Sequence, residues 1–85
     1  MALDNRTGSL IAVGASITAS CQPCLEINRT RALRAGADAQ EVADAIEIGR
    51  KVRAGAASKM DSFAATLNVP SASAAVANAK CGCGS

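Results

Sequence analysis

Eighty-five residues with a net charge of +2, basic and acidic side chains interleaved, make one small domain with a single aromatic residue, Phe63, and no His, Trp or Tyr. The apolar fraction is 49%, but much of it is Ala, which adds little buried area at roughly 25 cal/mol per Å²; a monomer would have a thin core, and a homo-oligomer is expected. The densest basic cluster, Arg50-Lys51-Val52-Arg53, has no aromatic neighbours on which bases would stack, and the longest nearly uncharged run, Thr7 to Leu25, is too polar to span a bilayer. Neither nucleic acid nor membrane is an expected partner.

Met1 to Arg6 is polar and lacks a signal-peptide layout, which predicts a cytoplasmic protein whose thiols are kept reduced. Asp4 is placed to cap a first helix. From Leu10 to Ala19 almost every residue is apolar or small, so this helix should be buried on most sides and pack centrally. Ile11, Val13 and Ile17 alternate as a strand would, but the Ala content and the stretches that follow favour helix. The helix should break between Ser20 and Cys24, with Pro23 in the first turn of a second helix running from about Gln22 to Ala35 and Gly36 stopping it.

Asp38-Ala39-Gln40-Glu41 reads as a capping box. Behind it Val42, Ala45, Ile46, Gly49, Val52, Ala56, Met60, Phe63 and Leu67 recur at steps of three or four, which predicts a long amphipathic helix. Gly49 and Gly55 weaken such a helix unless another helix packs closely over them; a kink at Gly55 is the alternative. Pro70 ends it or starts a short last helix. The expected division is a helical domain over 1–69 and an Ala/Ser-rich tail over 70–85 ending in Cys81-Gly82-Cys83-Gly84-Ser85.

Cys21-Gln22-Pro23-Cys24 is the stretch with chemistry. Two intervening residues let both sulfurs meet in one helical turn, as a disulfide or as half of a metal site. At a helix start, free N–H groups and the positive end of the dipole favour a thiolate on Cys21, which in a thioredoxin-like layout attacks while Cys24 resolves the intermediate; the spacing leaves the order of the two open. The bland reading is two buried cysteines acting as small hydrophobes.

The wider pattern resembles the alkylhydroperoxidase D-like family, also called carboxymuconolactone decarboxylase-like. The resemblance rests on Leu3-Asp4 through Thr7 and Leu10, Cys21-Gln22-Pro23-Cys24-Leu25-Glu26, Arg34-Ala35-Gly36-Ala37, Glu41 to Ile46 and Val52 to Ala57. It covers roughly Leu3 to Leu67. It implies an all-α domain of about three main helices plus a short C-terminal helix or tail, assembled as a trimer or hexamer, with Cys21 and Cys24 as its redox centre. A protein thiol reductant is implied as partner.

Peroxidase members of that family carry a His four residues after the second Cys and a Glu in the preceding helix, which together relay a proton. Here Asn28 stands at the first position and Ser9 at the second, so weak or absent peroxidase turnover is expected, with thiol–disulfide exchange retained. Glu26, the nearest acid, lies about 200° round the helix from Cys24 and reads as a solvated charge. Cys81 and Cys83 lie outside the family core. They are candidate relay thiols for Cys21–Cys24; alternatively Cys21, Cys24, Cys81 and Cys83 form a four-thiolate site for zinc or another soft metal. A third possibility is an interaction subunit that kept the fold and lost the chemistry.

Overall fold

The computed structural model describes residues 1–67, and these form three helices: α1 Asn5–Thr18, α2 Gln22–Arg34 and α3 Ala39–Thr66. The all-α expectation holds. The expected domain division at residue 70 and the Cys81-Gly82-Cys83 tail lie outside the described residues.

Local signals in the sequence set the helix ends. Asp4 caps α1, its Oδ1 accepting from the Thr7 N–H at 2.7 Å. Asp38 and Glu41 form the full capping box of α3: the Glu41 N–H donates to Asp38 at 2.8 Å, and the Asp38 N–H donates to Glu41 at 3.1 Å. Gly36, at φ 104°, turns the chain out of α2, and the Ala37 N–H closes back on the Ala32 carbonyl at 3.0 Å.

α1 is the central helix, packed against both others, as its apolar run predicts; α2 and α3 scarcely touch. Arg6 meets Glu41 near the starts of α1 and α3, while Ile17 and Thr18 at the end of α1 meet Arg53 and Gly49 farther along α3, so α1 and α3 run parallel. α2 runs antiparallel to α1, with Asn28 against Ser16 and Arg31 near Ser9. The buried core is small, as the composition requires: Val13, Ala32, Ala37 and Val42, with Leu10, Leu25, Ala45 and Ile46 packed around it.

The two glycines of α3 differ. Gly49 is buried where α1 crosses: a Cβ there would collide with the Gly14 carbonyl oxygen and lie 2.9 Å from the Ile17 Cβ. The Thr18 hydroxyl bonds the Gly49 carbonyl at 3.2 Å across the same contact. Gly55 has nothing within 4 Å of a Cβ and lies inside an unbroken helix, so the close-packing reading holds at Gly49 and not at Gly55.

Candidate redox site

The Cys21–Cys24 turn sits where α1 hands over to α2. α1 ends by a reversed turn: the Ser20 N–H donates to the Ile17 carbonyl at 3.0 Å and the Cys21 N–H to the Ser16 carbonyl at 3.0 Å. Ser20 holds the left-handed conformation, φ 55°, that this ending requires and that glycine usually supplies. Cys21 therefore closes α1 with its N–H. Its carbonyl then opens α2 by accepting from the Leu25 N–H at 3.0 Å, and Pro23 in the first turn has no N–H left to satisfy.

Cys21 is the N-cap of α2, with its Sγ 3.3 Å from the Cys24 N–H. Cys21 and Cys24 are joined by a disulfide, with Cα atoms 5.2 Å apart. Cys21 is half-buried and Cys24 exposed, so a reagent from solvent meets Cys24 sulfur more readily. The Cys21 sulfur thus faces the first turn of α2, where the Cys24 N–H points at it.

Asn28 lies one turn beyond Cys24, half-buried between α2 and α1. Its amide nitrogen donates to Ser16 Oγ at 3.1 Å, and that hydroxyl donates in turn to the Ala12 carbonyl at 2.7 Å. Ser16 is buried, so its hydroxyl and its backbone carbonyl hold Asn28 and the Cys21 N–H from one residue. Ser9 sits farther along α1, lining an open cleft of about 400 Å³ together with Asn28, Ala12 and Arg31. The structure thus places Ser9 and Asn28 along one cleft, while the residue hydrogen-bonded to Asn28 is Ser16. The sequence alone shows Ser16 only as one of the small residues in the Leu10 to Ala19 run. Its signal was a lone hydroxyl on the buried side of an apolar run, five residues before Cys21.

Neither Asn28 nor Ser16 takes up a proton near neutral pH. Glu26 is exposed, as expected of a surface charge. Arg53 Nη1 donates to the Ile17 carbonyl at 3.3 Å, which sets a positive charge at the C-terminal end of α1 beside the turn. Among the described residues no three His, Cys, Asp or Glu side chains gather as a metal site, and the four-thiolate alternative depends on Cys81 and Cys83 beyond them.

These features define a small all-helical protein with a vicinal cysteine pair at the N-terminus of its second helix. The chain belongs to the carboxymuconolactone decarboxylase family, whose sequence profile matches residues 1–80 and which includes alkylhydroperoxidase D-like members. Comparison with curated proteins and with solved structures gave no match. No helix of the described residues is long and apolar enough to cross a membrane.

Proposed function

We propose that this chain is a thiol–disulfide redox protein in which Cys21 and Cys24 cycle between dithiol and disulfide, with weak or absent peroxidase turnover. The observation that carries the reading is the position of the pair: Cys21 caps α2, and Cys24 reaches it within the same turn. In the reducing direction the Cys21 thiolate attacks a substrate disulfide, forming a mixed disulfide and expelling one substrate thiolate, which takes up a proton. Cys24, deprotonated, then attacks Cys21 Sγ and expels the second substrate thiol. Two electrons and two protons reach the substrate, and the Cys21–Cys24 disulfide remains.

Asn28 and Ser9 occupy the positions where peroxidase relatives carry His and Glu, which supports exchange over peroxide reduction. A positioned base contributes about 10²- to 10⁴-fold to such a step. Cys81 and Cys83 are proposed to relay electrons between a protein thiol reductant and Cys21–Cys24. The working form is proposed to be a cytoplasmic homo-oligomer, a trimer or hexamer.

The test is intact mass on anaerobically purified protein, with elemental analysis alongside. The proposal expects metal-free protein that loses about 2 Da per pair with oxidant and regains it with a dithiol reductant. Stoichiometric metal removed by chelation would replace it with the four-thiolate reading. Peroxide consumption that survives Cys21→Ser and Cys24→Ser would exclude these residues from any peroxidase activity.

A further inference from the structure

Two open clefts of about 400 and 440 Å³ lie between α1 and α2, and they share Asn5, Ser9 and Arg31. They therefore form one continuous groove, with Asn28 at one end and Arg34 at the other. Asn28 stands one turn beyond Cys24, so the groove begins beside the redox turn. From the N-cap onward, Cys21, Cys24, Asn28 and Arg31 recur at steps of three and four, which sets them along one face of α2.

The charge in this groove is uneven. Arg31 and Arg34 are exposed, and neither forms an ion pair among the described residues, where the arginines paired with acids are Arg6 and Arg50. Both suit the carbonyl end of α2, yet both also line the groove. The one carboxylate among the described lining residues is Asp4, and it is occupied in accepting the Thr7 N–H at 2.7 Å. Ser9 is uncharged, and the Asn28 amide nitrogen keeps a second N–H besides the one given to Ser16. The groove thus offers two guanidinium groups and neutral donors, with little to satisfy them from the protein itself.

We propose that this groove is a subsite for a carboxylate on the substrate, and that the redox pair acts on low-molecular-weight disulfides whose arms end in a carboxylate. Arg31 is the principal anchor and Arg34 extends the cationic wall. The distances suit such a ligand. Arg31 follows Cys24 by seven residues, roughly 10 Å along the helix. Long helical side chains lean toward the helix N-terminus, which brings the guanidinium back toward the sulfurs. A carboxylate two or three methylenes from its sulfur bridges what remains, and a guanidinium grips it through paired N–H groups.

The proposal rests on reading Cys21 and Cys24 as the working pair. Cys21 Sγ bonds one substrate sulfur as the substrate S–S bond breaks, and the expelled thiolate takes up a proton. Cys24, giving up its proton, then closes on Cys21, and the second substrate thiol leaves. The arginines take no part in these bond changes; they hold the disulfide where attack can occur.

The experiment follows oxidation of the reduced full chain by three disulfides of similar size: dithiodipropionate, which is anionic, hydroxyethyl disulfide, which is neutral, and cystamine, which is cationic. Each rate is divided by the rate of the same disulfide with dithiothreitol, which removes differences in intrinsic reactivity. The parent should favour dithiodipropionate over hydroxyethyl disulfide by about fivefold, the scale of an exposed ion pair, and should disfavour cystamine. That preference should fall toward unity in Arg31→Gln, survive in part in Arg31→Lys, and shrink in about 0.5 M salt. Ser9→Asp, which sets a carboxylate against the arginines, should lower it as well, and circular dichroism checks that each variant folds.

Suberate, the dicarboxylate that lacks the disulfide, gives a second reading that needs no redox chemistry. At millimolar concentration it should shift the Asn28 side-chain amide resonance of the oxidised parent, and not that of Arg31→Gln. A parent without charge preference, a preference retained in both Arg31→Gln and Ser9→Asp, or suberate shifts away from the groove would each overturn the subsite. Suberate binding at the groove without any disulfide reaction would leave the subsite standing and remove the redox reading instead.

Discussion

The side-chain amide of Asn28 donates to the buried hydroxyl of Ser16 at 3.1 Å, and this bond ties the first turns of α2 to the last turns of α1. Ser16 also accepts the Cys21 N–H on its backbone carbonyl, so Asn28 is held by the residue that anchors the first cysteine. Ser16→Ala removes the hydroxyl and leaves a half-buried amide without that partner. The expected loss is about 1–2 kcal/mol in urea unfolding of the oxidised protein.

Asn28→His would supply a proton acceptor one turn beyond Cys24. Peroxide-driven oxidation of the reduced pair should accelerate about tenfold or more, with an inflection near the ordinary imidazole pKa of about 6.5. A stopped-flow rate that is unchanged and flat with pH would show that a base at this position is not what limits the chain.

At Ser20 the backbone conformation, not the side chain, limits stability. A non-glycine residue at φ 55° carries a steric penalty of about 1 kcal/mol, which glycine avoids. Ser20→Gly should therefore raise the urea midpoint, and Ser20→Val should lower it.

Gly49 and Gly55 should respond oppositely to the same methyl group. Gly49→Ala drives a Cβ into the Gly14 carbonyl and the Ile17 side chain, with an expected cost of about 1–3 kcal/mol. Gly55→Ala meets open space on a helix and should stabilise by about 0.5–1 kcal/mol. Thermal melts of the two variants at one protein concentration check the pair.

Asp4 gives the fold a defined acid sensitivity. The Thr7 backbone N–H, then the Thr7 side chain, hold its carboxyl below the ordinary 3.8, with the nearby Arg6 charge a smaller influence in the same direction. A depressed carboxyl stabilises the fold above its unfolded pKa and loses that contribution as the pH falls through the folded one. Asp4→Ala should thus lower the melting temperature at pH 7, and the difference from the parent should close progressively below about pH 4.

Most of this architecture is legible in the sequence because its signals are local. Asp4, Pro23, Gly36, and the Asp38–Glu41 box each act within one turn, so each helix end falls close to where its capping chemistry puts it. The stripe from Val42 to Leu67 identifies a helix and its apolar face, but periodicity does not say what covers that face. α1 covers the first half only. Ser20 in the left-handed region was not legible, since it is the handover between two helices and not its own preference that sets φ. The roles of Ser16 and Arg53 were hidden for a related reason: both depend on which helix lies alongside.

The Cys21–Cys24 disulfide joins two residues already held within one turn of one helix. It encloses so short a loop that it removes little freedom from the unfolded chain, and it ties α2 to no other element. The junction with α1 is secured separately, by the Cys21 and Ser20 N–H groups on the Ser16 and Ile17 carbonyls. In the proposed cycle, electrons would therefore be loaded and withdrawn with little mechanical work on the scaffold. In that cycle the pair would serve as a charge store on a rigid mount, and a partner would tell its two states apart by the sulfurs themselves.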